Sequence, residues 1–100
     1  MLYMIFGEDA PNSSGKRAAA RPSHMARMHE MVDAGRVVLA GPLPAIDSPE
    51  PGPAGMAGSL IVAEFESLEA AQAWIDADPY VTQGVFSRVT VRPFKQVLPA

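Results

Sequence analysis

His24, in Arg21-Pro22-Ser23-His24, and Asp78, in Asp76-Ala77-Asp78-Pro79-Tyr80, are the residues of this chain best equipped for chemistry. An imidazole titrates close to neutral pH, and a carboxylate that accepts a hydrogen bond from one ring nitrogen fixes the tautomer. The other nitrogen is then free to take up or deliver a proton, the minimum equipment for general acid–base catalysis. The same two residues also have a plain structural use, His24 as an exposed residue in a first helical turn and Asp78 as the cap of an Asp-Pro turn. Which use applies depends on the elements that carry them.

Six elements announce themselves. Met1 to Gly7 is an almost unbroken apolar run, too short for an independent helix, and reads as a strand covered on both faces. From Pro22 to Gly35, Met25, Met28, Met31 and Val32 recur at helical spacing, with Pro22 suited to the first turn and Gly35 to the C-terminal cap. Arg36 to Ala40 reads as a second strand stopped by Gly41-Pro42, and Ser59 to Phe65 as a third. Ser67 is a good N-cap for a second helix through Leu68, Ala71, Trp74 and Ile75, which Asp78-Pro79 ends. A last strand alternates from Phe86 to Arg92 or Phe94.

The order βαββαβ predicts an α+β, ferredoxin-like single domain over residues 1–100, with both helices on one face of a four-stranded antiparallel sheet. Because both parities of the first strand are apolar, the bare sheet face is expected to be covered by a second copy, giving a homodimer of the dimeric α/β-barrel type. Residues 43–58, rich in proline and glycine, are longer than a hairpin needs and read either as a lid or as a stiffened surface excursion.

In this topology the two helices are antiparallel, so the start of the first and the end of the second lie at the same end of the domain. His24 and Asp78 can meet there. Asp33 cannot: nine positions along the helix turn it to the opposite side of His24 and about 13 Å further on. His29 lies about 140° around the helix from His24 and shares no metal-binding face with it, so no metal is assigned. Arg21, Ser59 and Tyr80 fall near the same end and are candidates for contact with a small anionic or phenolic substrate. Helix-start amides around Ser23 and His24 would favour an oxyanion. Lys16 and Arg17 read as part of a solvated loop.

Composition narrows the partners. A net charge of −3 with 8 Lys plus Arg leaves no basic stripe for nucleic acid. No apolar run reaches the ~20 residues that span a bilayer, and the N-terminus has no secretory pattern, so a cytoplasmic protein is expected. With no cysteine, disulfides and thiolate chemistry are excluded.

Several segments also carry a family likeness. Arg21-Pro22-Ser23-His24-Met25-Ala26-Arg27, Asp33-Ala34-Gly35-Arg36, Ala40-Gly41-Pro42, Gly58-Ser59, Ala63-Glu64-Phe65-Glu66-Ser67-Leu68-Glu69-Ala70-Ala71, Asp76-Ala77-Asp78-Pro79-Tyr80 and Arg92-Pro93-Phe94-Lys95 resemble the YciI-like (YCII-related) family from end to end. The resemblance implies a dimerising ferredoxin-like domain whose recurrent histidine and aspartate carry over to His24 and Asp78. One branch of that family is associated with removal of chloride from chlorinated hydroxyquinols. The leading expectation is a small cofactor-free enzyme, lyase- or isomerase-like, with His24 as acid or base and Asp78 as its orienting partner. The alternative is a noncatalytic module that binds a metabolite or a protein. An enzyme requires a concave pocket reaching His24, whereas a binding module can place its apolar patch elsewhere.

Overall fold

The computed structural model describes residues 1–99. Its order is β1 (Leu2–Asp9), α1 (Ser14–Asp33), β2 (Val37–Pro44), β3 (Met56–Glu64), α2 (Leu68–Asp76), the single-turn α3 (Pro79–Thr82) and β4 (Phe86–Phe94). The four strands form one antiparallel sheet in the order β2-β3-β1-β4, the ferredoxin-like arrangement. No helix of the described residues is long and apolar enough to cross a membrane.

Alternation along β1 divides the two faces. Tyr3 and Ile5 are buried with Ile61 and Ala63 of β3 against Ala20, Met28 and Met31 of α1 and Ala71 and Ile75 of α2. Leu2, Met4 and Phe6 point to the other face, where they are only half-buried. Their register partners there include Leu60, Val62 and Phe94, and Leu39, opposite Val62, is 49% exposed.

The first helix departs from the sequence expectation. It begins at Ser14 rather than Pro22, so Pro22 lies inside it and His24 near its middle. Pro22 is exposed, and its missing N–H removes only one ladder bond from a helix whose inner face is packed. That face reads Arg17, Ala20, His24, Met28 and Met31, at steps of three and four residues. Lys16 and Arg17 therefore belong to the first turns of a helix, and there is no free helix start at Ser23 and His24 to attract an oxyanion. The C-terminal end is as expected: Gly35, at φ 70°, lets its own N–H reach the Val32 carbonyl and that of Arg36 reach Met31.

The second strand also runs on past its expected end. Gly41-Pro42 does not stop it, because β2 is an edge strand on which proline leaves no inner ladder donor missing. The connection to β3 is thereby shortened to residues 45–55, closed by the Ala45 N–H on the Gly55 carbonyl at 2.9 Å.

Candidate active site

Ser67 starts α2 by accepting the Ala70 N–H at 3.0 Å, and the helix runs to Asp76. The chain then turns at Ala77, and Asp78 starts α3 with Pro79 in its first turn. One oxygen of Asp78 accepts the Tyr80 N–H at 3.0 Å, so the capping role holds. The same Oδ2 lies 2.7 Å from His24 Nδ1. The other oxygen, Oδ1, takes a hydrogen bond from Arg27 at 2.8 Å. Asp78 is 0% exposed, so the cap of α3 and the partner of His24 are one fully buried carboxylate.

The meeting of His24 and Asp78 has a different geometry from that argued from helix ends. The 20-residue α1 is about 30 Å long and passes the end of the much shorter α2 at its own midpoint. His24 projects from that midpoint and is itself buried. Arg27, one turn further along α1, reaches the same carboxylate, because positions three apart share a helix face. Its other terminal nitrogen donates to the Trp74 carbonyl at 2.9 Å, and its guanidinium lies 4.4 Å from the Trp74 ring centre. Arg27 thus ties α1 to the last turn of α2. Spacing alone could have found it, since it follows His24 by three residues.

The electrostatics keep Asp78 ionised. Burial pushes its pKa up, but the hydrogen bonds from His24 and the Tyr80 amide, the electrostatic attraction of His24 and the Arg27 hydrogen bond together outweigh burial and hold it below the ordinary carboxylate range. An ionised Asp78 accepts from Nδ1–H, which leaves Nε2 of the neutral ring as its basic atom. Tyr80 lies parallel on the imidazole, with ring centres 3.9 Å apart. Burial raises the pKa of its phenol, against the opposing charges of Arg17 and Arg21.

Arg17 forms the second polar cluster. Its guanidinium grips both oxygens of Asp9, at 3.0 and 2.8 Å, and also donates to the Gly58 carbonyl and to Ser59 Oγ, each at 3.0 Å. Ser13 completes the Asp9 shell at 2.7 Å. The cluster pins the start of α1 to β1 and β3. With Ser59 Oγ accepting from Arg17, its own proton is free to be donated elsewhere. Gly58 also lets β1 come close to β3, because a Cβ there would collide with the Gly7 carbonyl oxygen.

These groups line one cleft of about 360 Å³ between α1 and the β2–β3 edge. His24, Arg21, Ser59 and Tyr80 all border it, as do Arg17 and His29, with Met25, Met28, Val37 and Ile61 among its apolar walls. Four of the expected site residues therefore converge on the cleft, and the fifth, Asp78, sits behind His24. Asp33 is exposed. Pro42 of β2 borders the cleft, but no described residue of the 45–55 loop does, so that loop is not placed as a lid. Among the described residues no three histidines or carboxylates cluster at metal-binding distance.

The YCII-related domain profile matches residues 1–95. The chain belongs to this family. Protein YciI of Escherichia coli O6:H1 is 57% identical over 97 residues, covering 97% of this chain and 99% of its own length. An uncharacterized protein of Haemophilus influenzae is 47% identical with the same coverage. Among solved structures, 5-chloro-2-hydroxyhydroquinone dehydrochlorinase (TftG) of Burkholderia phenoliruptrix, in complex with 2,5-dihydroxybenzoquinone, superposes with a TM-score of 0.83. It covers 95% of this chain and 94% of its own at 24% identity, a likeness that shows the shared fold.

Proposed function

We propose that this YCII-family protein is a small-molecule enzyme, lyase- or isomerase-like, in which Nε2 of His24 moves a proton and Asp78 holds the ring. The observation that carries this reading is the buried 2.7 Å contact between His24 Nδ1 and Asp78, with the imidazole bordering a cleft. A histidine used only for packing would not need a fully buried carboxylate on one nitrogen and a cavity beside the ring. Nε2 abstracts a proton from a substrate carbon or hydroxyl and returns it to another atom or to a leaving group. The resulting imidazolium is stabilised by Asp78, whose charge Arg27 balances. Ser59 borders the same cleft, and its hydroxyl would donate to an oxyanion that develops on the substrate. This chemistry needs only side-chain nitrogen and oxygen. The Burkholderia dehydrochlorinase, by its name, removes chloride from a hydroxylated ring, so the shared fold is compatible with elimination on a small ring.

Assembly is part of the same proposal. Leu2, Met4, Phe6, Leu39, Leu60 and Phe94 form an apolar sheet face that a twofold-related copy would cover. Light scattering at micromolar concentration should give twice the 10.6 kDa chain mass, and a lone 10.6 kDa species would contradict it. A reducing, cytoplasmic setting suits the cysteine-free sequence.

The test is a screen of small phenolic and keto or enol compounds against the wild type, His24→Ala and the bulkier His24→Gln. Turnover lost in both variants, while ligand-induced thermal stabilisation survives in His24→Gln, supports the assignment. Undiminished turnover in His24→Gln refutes it. Ligands that bind the wild type without any turnover would favour a binding module.

A further inference from the structure

The polar lining of the cleft is one-sided. Arg17, Arg21, His24, His29, Ser59 and Tyr80 border it, and among the described residues no carboxylate does. That is unexpected by composition, since the chain carries 11 Asp plus Glu against 8 Lys plus Arg. The two guanidiniums are not equivalent. The charge of Arg17 is matched by Asp9, which it meets at 2.8 Å with the side chains of both largely buried. Arg21 makes no ion pair among the described residues, and it is exposed at the cleft. It precedes His24 by three positions, which brings the two side chains onto one face of α1.

We infer that Arg21 is the specificity residue of the cleft and that the substrate is a small monocarboxylic acid, its carboxylate on Arg21 and its apolar body against Met25, Met28, Val37 and Ile61. A guanidinium matches a carboxylate with two parallel hydrogen bonds. One uncompensated arginine suits a single negative charge, whereas a phosphate dianion would bring a second charge with no second unpaired arginine to meet it. The volume of about 360 Å³ lies at the low end for ligand sites and admits one ring or a short branched chain. With the acid group on Arg21, the neighbouring carbons of the ligand lie along α1 toward His24. The inference rests on the reading that this cleft is the ligand site, but not on His24 acting as a base.

The experiment compares matched acids and amides, benzoate with benzamide and isovalerate with isovaleramide, by calorimetric titration at neutral pH. Phenyl phosphate and inorganic phosphate are the competing anions. For the wild type and for His24→Gln, at least one acid should bind about tenfold or more tightly than its amide, the difference expected of a charge-assisted hydrogen bond. Arg21→Gln, a change at an exposed position, should abolish that preference, and Arg21→Lys should restore part of it. Equal binding of acid and amide by the wild type, absence of binding included, overturns the inference, as does a preference that survives Arg21→Gln. Tighter binding of phenyl phosphate than of benzoate overturns the choice of a carboxylate. A preference retained in His24→Gln together with undiminished turnover there would refute the catalytic role of His24 and leave this inference standing.

Discussion

Tyr80 lies face to face on His24, with ring centres 3.9 Å apart and planes within 10° of each other. The backbone of Tyr80 is also held by Asp78, the carboxylate that binds His24 Nδ1. Two residues of one short turn therefore fix the imidazole from its edge and from its face. Phe86 packs edge-on against Tyr80, and Arg17 lies 4.8 Å from the Tyr80 ring centre, so the clamp is itself supported. Tyr80→Phe should keep the stack and lie within about 1 kcal/mol of wild-type stability. Tyr80→Ala should cost about 3–5 kcal/mol, as expected for removal of a buried aromatic ring. Urea denaturation distinguishes the two variants. If Tyr80→Phe raises KM with little effect on kcat, the hydroxyl contacts substrate as the sequence suggested.

Asp78→Asn tests the orienting role. An amide can still accept one hydrogen bond, but it no longer stabilises an imidazolium, and it can turn its NH₂ toward His24 and select the wrong tautomer. Activity should fall by roughly two to four orders of magnitude. Arg27 is then left without its anion, so stability should fall as well, by about 3 kcal/mol or more. Asp33→Asn, at an exposed position far along α1, is the matched control and should alter neither quantity measurably. A large loss of turnover in Asp33→Asn with little in Asp78→Asn would mean that the wrong aspartate has been assigned.

The lowered pKa of Asp78 sets the sign of its acid sensitivity. The stability it contributes is fully present above the ordinary carboxylate value of 3.8 and is lost as the pH falls through the lower, folded value. The stability gap between wild type and Asp78→Asn should accordingly be constant from neutral pH to mild acid and narrow below that value. Denaturant titrations at a series of acidic pH values measure the gap. A gap that widens on acidification would contradict the assignment.

The sheet, α2 with its Ser67 cap, and the Gly35 end of α1 were all legible in the sequence, because each follows from local periodicity and end chemistry. The first half of α1 was not. Its inner face carries Arg17 and Ala20 where a plain apolar stripe would have marked a helix, and Pro22 imitates a helix start. His24 and Asp78 were placed together correctly from topology, although the reason given, two helix ends, was replaced by the midpoint of a long helix passing the end of a short one. The burial of Arg17 could not be read locally, because its partners Asp9, Gly58 and Ser59 come from two other strands. The loop was overestimated because β2, on the sheet edge, tolerates prolines that would end an inner strand.

The Asp9 cluster should be structural first and functional second. Asp9→Ala leaves the largely buried Arg17 without its counter-ion and should destabilise the protein by about 3–5 kcal/mol. It should also free the guanidinium beside Ser59 and lower activity even at temperatures where the fold is intact. Replacing both partners, with Asp9→Asn and Arg17→Met, should cost less than Asp9→Ala alone, since no buried charge is then stranded. Thermal and urea denaturation of the variants decide this, and a double variant worse than Asp9→Ala would show that the pair itself is net stabilising.

The central claim, that Asp78 holds His24 with its proton on Nδ1 and its basic nitrogen at the cleft, is tested most directly by long-range ¹H–¹⁵N correlation NMR of the His24 imidazole. At a pH where the ring is neutral, the wild type should show a protonated Nδ1 and an unprotonated Nε2, and Asp78→Asn should weaken or reverse that preference. A wild-type ring protonated on Nε2, or a spectrum unchanged by Asp78→Asn, would contradict the account.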